Sequence, residues 1–243
     1  MRFKITLEYD GTDYHGWQIQ PNGRTIQAVL ESAIARMTGE SVRVAAAGRT
    51  DAGVHASGQV VGVSLHRPVP TERLFSALNA LTPADVGIKA VEVVPDDFDP
   101  RRAARSRVYI YRIWNARWVS PFWRRYAWHV AQPLDTDGMR AAAACLIGEH
   151  DFSAFQAAGC DAEHAVRRVV RSEIEQRAPL LTYTIEATAF LRHMVRNIVG
   201  TLVEVGTGDR PADDLPRLLA IRNRPSAGPT APACGLCLVT VKY

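Results

Sequence analysis

The order in which two hydrophobic periodicities alternate along the chain restricts its fold most strongly. Residues 2–9 (RFKITLEY) alternate polar and apolar side chains, the pattern of a half-buried strand. From Thr25 to Gly39 the apolar residues instead recur at helical spacing, and the closing glycine is typical of a helix end. Two strand-like stretches, SVRVAAA and GQVVGVSL, are followed by a helical pattern near 71–81 and a strand near 87–94. The first half therefore predicts the order β-α-β-β-α-β.

The second half repeats this order without repeating the sequence. It is predicted to contain, in chain order, a strand at 106–115, a helix at 135–147, two strands turning near Ala178 and Pro179, helices at 190–205 and 212–222, and a strand at 236–243. This order is that of the split βαβ, ferredoxin-like arrangement. We therefore expect an α+β protein with two ferredoxin-like or RRM-like halves, residues 1–104 and 105–243, whose antiparallel sheets join around a central cleft. The Pro-containing, charged stretch 95–106 marks the boundary.

Composition is that of an ordinary globular protein. Of the 243 residues, 47% are hydrophobic and 22% are charged, and no apolar run reaches the roughly 18–20 residues that span a bilayer. The N-terminus lacks the pattern of a signal peptide, so we expect a cytoplasmic protein in which the four cysteines are free thiols. Cys234 and Cys237 form a C-x-x-C, but no second pair stands at zinc-ribbon spacing, so a metal or redox role has weak support.

The charge balance is compatible with a nucleic-acid partner. The formal net charge is +4, and only three of the 29 basic residues are lysines: Lys4, Lys89 and Lys242. Arginine suits bidentate phosphate contacts and stacking on bases. A GC-rich coding sequence would give the same bias without any such partner, so charge alone is a modest indication.

The stretch GRTDAGVH, residues 48–55, is the best candidate for a chemical site. It is not a P-loop, because Val54 and His55 stand where Lys and Ser or Thr are required. It lacks the second carboxylate of a phosphoryl-aspartate loop, and a metal site from Asp51 and His55 has no further ligand adjacent. What remains is a carboxylate on a tight loop, kept ionised by Arg49 nearby. The alternative is that Asp51 caps a turn while Arg49 is solvated.

Six motifs favour a functional role for Asp51 over that of a turn cap. They are YDGTDYHGWQ near the N-terminus, GRTDAGVHASGQV, SRVYIY at 106–111, GEHDF at 148–152, FLRHMVRN at 190–197 and GLCLVTV near the C-terminus. In this order, and covering essentially the whole chain, they resemble the TruA-type tRNA pseudouridine synthases. One departure is Cys237, which stands where we would expect an aromatic residue, outside the catalytic motifs.

The resemblance implies a reaction, partners and a set of functional residues. Uridine in tRNA, at positions 38, 39 and 40 of the anticodon arm, would be isomerised to pseudouridine. No cofactor and no metal would be needed, and the enzyme would act as a homodimer on which a bound tRNA touches both subunits. Asp51 is implied to be the catalytic carboxylate, with addition at C6, attack at C1′ and elimination through a glycal all open.

The resemblance assigns roles to three more residues. Tyr109, the first tyrosine of the Y-x-Y, would stack on the uracil and help to remove the C5 proton. Arg196 would pair with the catalytic carboxylate, although a lone arginine on that helix would ordinarily face solvent. Arg49 would hold the flipped state of the RNA. Less specifically, phosphate contacts are expected from the arginines that cluster near Tyr109 and on a later strand, namely Arg101, Arg107 and Arg168.

Two other classes of function remain open at this stage. The first is a non-catalytic RNA-binding module on the same kind of sheet, for which an acidic residue facing phosphate would be a disadvantage. The second is a metal-dependent hydrolase that uses Asp51 and His55 with His15 or Asp13. Full activity in the presence of a chelator would exclude it.

Overall fold

The computed structural model describes residues 1–160 and 162–243. Within these residues the chain forms ten strands and five α-helices. The strands are β1 (Arg2–Tyr9), β2 (Ala45–Ala46), β3 (His55–Ser64), β4 (Val86–Val94), β5 (Ser106–Asn115), β6 (Trp128–Val130), β7 (Gly148–Asp151), β8 (Val166–Arg177), β9 (Leu180–Ala187) and β10 (Leu236–Lys242). The helices are α1 (Ile26–Thr38), α2 (Thr71–Leu81), α3 (Thr136–Ala144), α4 (Met194–Thr207) and α5 (Asp214–Ile221).

The chain divides into two compact units. One contains Met1–Arg105 together with Cys237–Tyr243, and the other contains Ser106–Leu236. Most of β10, which the sequence placed in the 105–243 half, is grouped with the first unit because it pairs in parallel with β3, Cys237 opposite His55. The mixed α+β class is confirmed, and the antiparallel character holds for most strand pairs. The division into two domains at 104/105 stays a prediction.

The first unit has the predicted order β-α-β-β-α-β. Strand β1 pairs antiparallel with both β3 and β4, so that it is central, and β2 pairs with the far side of β3. The alternation of RFKITLEY buries Phe3, Ile5 and Leu7 completely. Helix α1 begins after Thr25, whose hydroxyl accepts the Ala28 N–H, and ends at Gly39 in the left-handed conformation, φ 75°.

The second unit contains a sheet in the order β5-β9-β8-β7, with β6 parallel to β5. Helix α3 packs against β8 and α4, on the face where Tyr111 and Tyr183 are buried. The Ser172 hydroxyl, on this same face, donates to the Ala143 carbonyl of α3. One face of the sheet is therefore covered by a helix.

Several predicted boundaries in the second unit were wrong. Helix α4 begins at Met194 instead of residue 190, because His193 adopts a left-handed backbone, φ 59°, that a continuous helix cannot contain. Helix α3 ends at Ala144, and the short strands β6 and β7 were not predicted. Strands of three and four residues are too short for a period of two to stand out in the sequence. In the described ranges, none of the helices combines the length and apolar character needed to cross a membrane.

Candidate active site

The Asp51 turn, residues 48–55, is an irregular connection into β3. The Asp51 carbonyl accepts the Val54 N–H at 3.1 Å, and Gly53 between them has φ 77°, a left-handed backbone that favours glycine. Asp51 itself is half-buried, the preceding Thr50 is buried, and Arg49 is exposed. The glycine at position 53 is therefore explained by the shape of the turn, which leaves the Asp51 side chain partly open to solvent.

A second loop, residues 10–17, fixes this turn through backbone atoms. The Thr50 carbonyl accepts the Trp17 N–H at 3.0 Å, and the Tyr14 carbonyl accepts the Gly53 N–H at 3.2 Å. A Cβ atom at Gly16, where φ is 86°, would lie 2.8 Å from the Thr50 carbonyl oxygen. Both sides of Asp51 are thus hydrogen-bonded to a loop that can approach only because it lacks a side chain at position 16.

Beneath the turn lies a buried polar network. The Tyr9 hydroxyl is 2.8 Å from the Thr50 hydroxyl, and the Gln59 amide donates to the Gly48 carbonyl at 2.7 Å. Gln59 also donates to the Tyr9 oxygen at 3.3 Å, so side chains from both β1 and β3 take part in this network. Burial raises the pKa of Tyr9 to about 12, which keeps its hydroxyl neutral and available as a donor. This network holds the turn from below.

The residues of the metal-site alternative are placed differently. His55 is buried, and its Nδ1 accepts the Gly11 N–H at 3.1 Å while lying 3.2 Å from an Asp10 carboxylate oxygen. Asp13 and His15 are exposed. Among the described residues, no three His, Cys, Asp or Glu side chains come together in a group that could hold a metal ion. His55 therefore belongs to the support of the Asp51 turn.

In the second unit, Tyr109 and Tyr111 share one face of β5 but have different surroundings. The Tyr109 ring is 8% exposed and meets the Phe190 ring edge-on, with centroids 5.0 Å apart and planes at 80°. The Tyr111 ring is fully buried, and its hydroxyl donates to the Pro232 carbonyl at 2.8 Å. Burial raises the pKa of Tyr111. Tyr111 is thus a core residue held through its hydroxyl, and Tyr109 is the less completely buried of the two.

Arg196 occupies the first turn of α4. Its Nε donates to the Ala231 carbonyl at 2.8 Å, and its own carbonyl accepts the Ala231 N–H at 3.1 Å. Arg196 is half-buried, and this contact ties its side chain to the segment that contains Ala231. The left-handed His193 just before the helix directs the chain from Phe190 into this turn.

The arginines expected to contact RNA fall into two groups. Arg49, Arg101 and Arg168 are exposed, as long cationic side chains usually are. Arg107 is only 8% exposed, and its guanidinium donates to the Thr188 carbonyl at 2.8 Å. No signal in the sequence separates Arg107 from the other three arginines.

The sequence also missed residues that support the site. Phe190 was placed in the predicted helix 190–205, although it lies before α4 and packs on Tyr109. Tyr9 and Gln59 looked like ordinary strand residues, yet they bind the Asp51 turn. A buried, polar Gln59 inside the otherwise apolar run of β3 was the one available signal.

Comparison with known proteins gives a consistent result. A family model described as tRNA pseudouridine synthase matches residues 5–101 and 142–243, which include Asp51 and Arg196 but not Tyr109. Proteins named tRNA pseudouridine synthase A match along the whole chain. The relative from Myxococcus xanthus is 52% identical, covering 100% of this chain and 92% of its own. The one from Moorella thermoacetica is 49% identical (99% and 98%), and the one from Bordetella petrii 43% (100% and 91%).

Proposed function

The chain belongs to the tRNA pseudouridine synthase family and is an isomerase of that class; from this premise we propose that it converts uridines 38, 39 and 40 of the tRNA anticodon arm to pseudouridine, with Asp51 as the catalytic carboxylate. The observation that supports this role is how firmly the backbone around Asp51 is held. The backbone on both sides of it is hydrogen-bonded to the 10–17 loop, and the hydroxyl of Thr50 is held by Tyr9. Such preorganisation is what a reacting group requires.

The reaction needs a single ionised carboxylate and no outside reagent. The N1–C1′ bond of uridine breaks, a C5–C1′ bond forms, the C5 proton is lost and N1 gains a proton, so atoms and electrons balance within the nucleotide. A carboxylate can add to an electrophilic carbon and leave again, or accept a proton. Asp51, partly open to solvent on its turn, is suited to either action.

Other residues complete the proposal. Tyr109 stacks on the extruded uracil and assists proton transfer from C5, and Arg196 acts with the catalytic carboxylate. Arg49 holds the flipped state of the RNA, and the exposed Arg101 and Arg168 contact phosphates. Arg107, occupied with the Thr188 carbonyl, supports the RNA surface by positioning that segment. We further propose that the enzyme works in the cytoplasm as a homodimer.

Tritium release from tRNA labelled with [5-³H]uridine tests this proposal. Asp51→Asn keeps the shape of the side chain and removes its charge, so we expect release to fall at least about 1000-fold while tRNA binding persists. Asp13→Asn, on the neighbouring loop, is the matched control and should keep wild-type release. Wild-type activity should also persist in a chelator.

Three outcomes would contradict the proposal in different ways. Equal release by wild type and Asp51→Asn would remove Asp51 from the mechanism. Loss of tritium release by the wild type in a chelator would instead support a metal-dependent enzyme. If both proteins bound tRNA but neither released tritium, the chain would be interpreted as a non-catalytic RNA-binding module. Mapping pseudouridine in the product tRNA would separately test positions 38, 39 and 40.

A further inference from the structure

Asn197 is a fully buried polar residue in the first turn of α4, next to Arg196. Its amide nitrogen donates to the Phe155 carbonyl at 2.7 Å. Its Oδ1 accepts from the Thr230 hydroxyl at 2.6 Å and from Arg224 Nη2 at 3.0 Å. These three partners lie 42, 33 and 27 residues away in the sequence. One side chain therefore connects three distant parts of the second unit.

The chemistry of these partners requires an amide at position 197. The Phe155 carbonyl can only accept and the Arg224 guanidinium can only donate, so the amide NH2 faces the first and the amide oxygen faces the second. An aspartate would present an acceptor to the Phe155 carbonyl, and a leucine would offer neither a donor nor an acceptor. Asn197 is therefore a specific connector, and its burial is compensated by three hydrogen bonds.

One of the connected parts, the 227–232 segment (AGPTAP), lies directly against α4. A Cβ atom at Gly200 would lie 1.7 Å from the Pro229 carbonyl oxygen, so the segment can approach only because the helix has no side chain there. Arg224 Nη1 donates to the Gly228 carbonyl at 2.9 Å. The guanidinium that binds Asn197 thus also fixes the start of this segment.

The 227–232 segment in turn holds Arg196. The Ala231 N–H donates to the Arg196 carbonyl at 3.1 Å, and the Ala231 carbonyl accepts the Arg196 Nε–H at 2.8 Å. Thr230, the residue before Ala231, is the one that Asn197 binds. A shift of Thr230 would therefore move the acceptor that orients the Arg196 guanidinium.

We propose that Asn197 is a positioning residue for the reaction. Together with Arg224 it fixes the 227–232 segment, and that segment sets the direction in which the Arg196 guanidinium points. Asn197 is fully buried and acts only through these neighbours. The inference rests on the proposed function, in which Arg196 acts with the catalytic carboxylate, and it adds the residues that orient Arg196. Orientation matters because a misplacement of about 1 Å can cost about 100-fold in rate.

Thr230→Val tests this role by removing the hydroxyl that links the segment to Asn197. Thr230 is exposed, so a valine can be accommodated, and Arg224 still occupies the Asn197 oxygen. We expect kcat for tritium release to fall about tenfold while KM stays within about twofold, because the orientation of Arg196 affects the reacting nucleotide and leaves the tRNA contacts in place. Thr230→Ser restores a hydroxyl and should recover most of the wild-type kcat.

Thr207→Val is the matched control. The Thr207 hydroxyl donates to the Val203 carbonyl at 3.1 Å, at the other end of α4 from Arg196. Each valine variant loses hydrogen bonds of one hydroxyl and should lower the melting temperature by about 2–4 °C. Only Thr230→Val should also lower kcat. An equal fall of kcat in both variants would show that the contact only stabilises the protein, and would overturn the proposed role.

The exchange of the Arg196 Nε–H with solvent, followed by NMR, gives a readout that does not depend on activity. This signal is assigned by its absence in Arg196→Lys. It should exchange at least about tenfold faster in Thr230→Val than in wild type, and at the wild-type rate in Thr207→Val. If Thr230→Val does not fold, Arg224→Lys takes its place, because lysine keeps the charge and loses the forked contact.

The two readouts separate this inference from the proposed function. Wild-type kcat together with wild-type exchange in Thr230→Val would overturn the positioning role and leave the proposed function intact. Faster exchange in Thr230→Val, with no tritium release from the wild type, would support the positioning of Arg196 and overturn the proposed function.

Discussion

The proposed catalytic carboxylate and the proposed active-site tyrosine are held in place by different means. Asp51 lies on an irregular turn that is fixed by backbone hydrogen bonds from a loop approaching at Gly16. Tyr109 lies on a regular strand and is oriented by a side chain, the ring of Phe190. The position of Asp51 thus depends on backbone shape, and that of Tyr109 on side-chain packing. Substitutions should therefore affect the two regions in different ways.

Among the substitutions that test this contrast, Tyr109→Phe in the second unit is expected to have the largest effect. This change keeps the ring and its contact with Phe190 but removes the hydroxyl, so tritium release should fall about 100-fold or more. Tyr111→Phe is the matched control. It deprives the Pro232 carbonyl of its donor and should cost about 1–2 kcal/mol with activity kept. The opposite pattern would show that Tyr111 is the functional tyrosine.

A glycine pair isolates the contribution of backbone shape in the first unit. Gly16 and Gly39 both have positive φ, 86° and 75°, but a Cβ at Gly16 would meet the Thr50 carbonyl at 2.8 Å while one at Gly39 would have nothing within 4 Å. Gly39→Ala should therefore cost about 1 kcal/mol and keep activity. Gly16→Ala should cost more and also displace the Asp51 turn, with release falling about 100-fold.

Steady-state release and thermal unfolding of the two glycine variants give the answer. Equal activity in both would mean that the 10–17 loop does not position Asp51. In that case the contrast between the two regions would lose its basis, because the turn would be held from below by Tyr9 and Gln59 alone.

A double-mutant cycle measures that lower support. Tyr9→Phe and Thr50→Val each remove one side of the 2.8 Å hydrogen bond between the hydroxyls, and each should destabilise the protein by about 1–2 kcal/mol. Because both changes break the same bond, the double variant should cost less than the sum by about 1 kcal/mol. Additive costs, measured by urea unfolding, would show that the two hydroxyls do not interact in solution.

The sequence predicted helices and strands well where the apolar residues kept a helical spacing over at least two helical turns, or alternated over several residues of a strand. Strand β1 and helix α1 were confirmed nearly to the residue, because RFKITLEY alternates cleanly and Thr25 and Gly39 are strong boundary signals. The predicted start of helix α4 was wrong because no pattern in FLRHMV indicates that His193 adopts a left-handed backbone. Local sequence does not record such a tertiary requirement.

The candidate site shows the same limit. The family resemblance singled out Asp51, Tyr109 and Arg196, but it did not reveal what holds them. Gln59 interrupts an apolar strand because the Gly48 carbonyl needs a donor, and the partner lies eleven residues away in the chain. Arg107 and Arg101 look alike in sequence, and only the burial of one of them separates their surroundings.

Alkaline pH gives the smallest of these effects and probes buried tyrosines in both units. Burial raises the pKa of Tyr9 from 10.0 to about 12, and it also raises the pKa of Tyr111 and of Tyr183. A raised pKa in the folded state means that the unfolded chain loses its proton first. For Tyr9, the stability linked to this proton is therefore complete below about pH 10 and decreases between pH 10 and 12, and for Tyr111 and Tyr183 it likewise decreases as the pH rises above 10.

Tyr9→Phe removes one of these groups and should change the pH dependence accordingly. Between pH 8 and pH 10.5, wild type should lose about 1 kcal/mol more of its free energy of unfolding than the variant does, as measured by urea unfolding at each pH. The difference between the two proteins should thus shrink as the pH rises. A constant difference would mean that Tyr9 ionises alike in folded and unfolded protein, as a solvent-exposed hydroxyl would. The buried network would then not be the support of the Asp51 turn, and the backbone contacts at Gly16 would have to hold it alone.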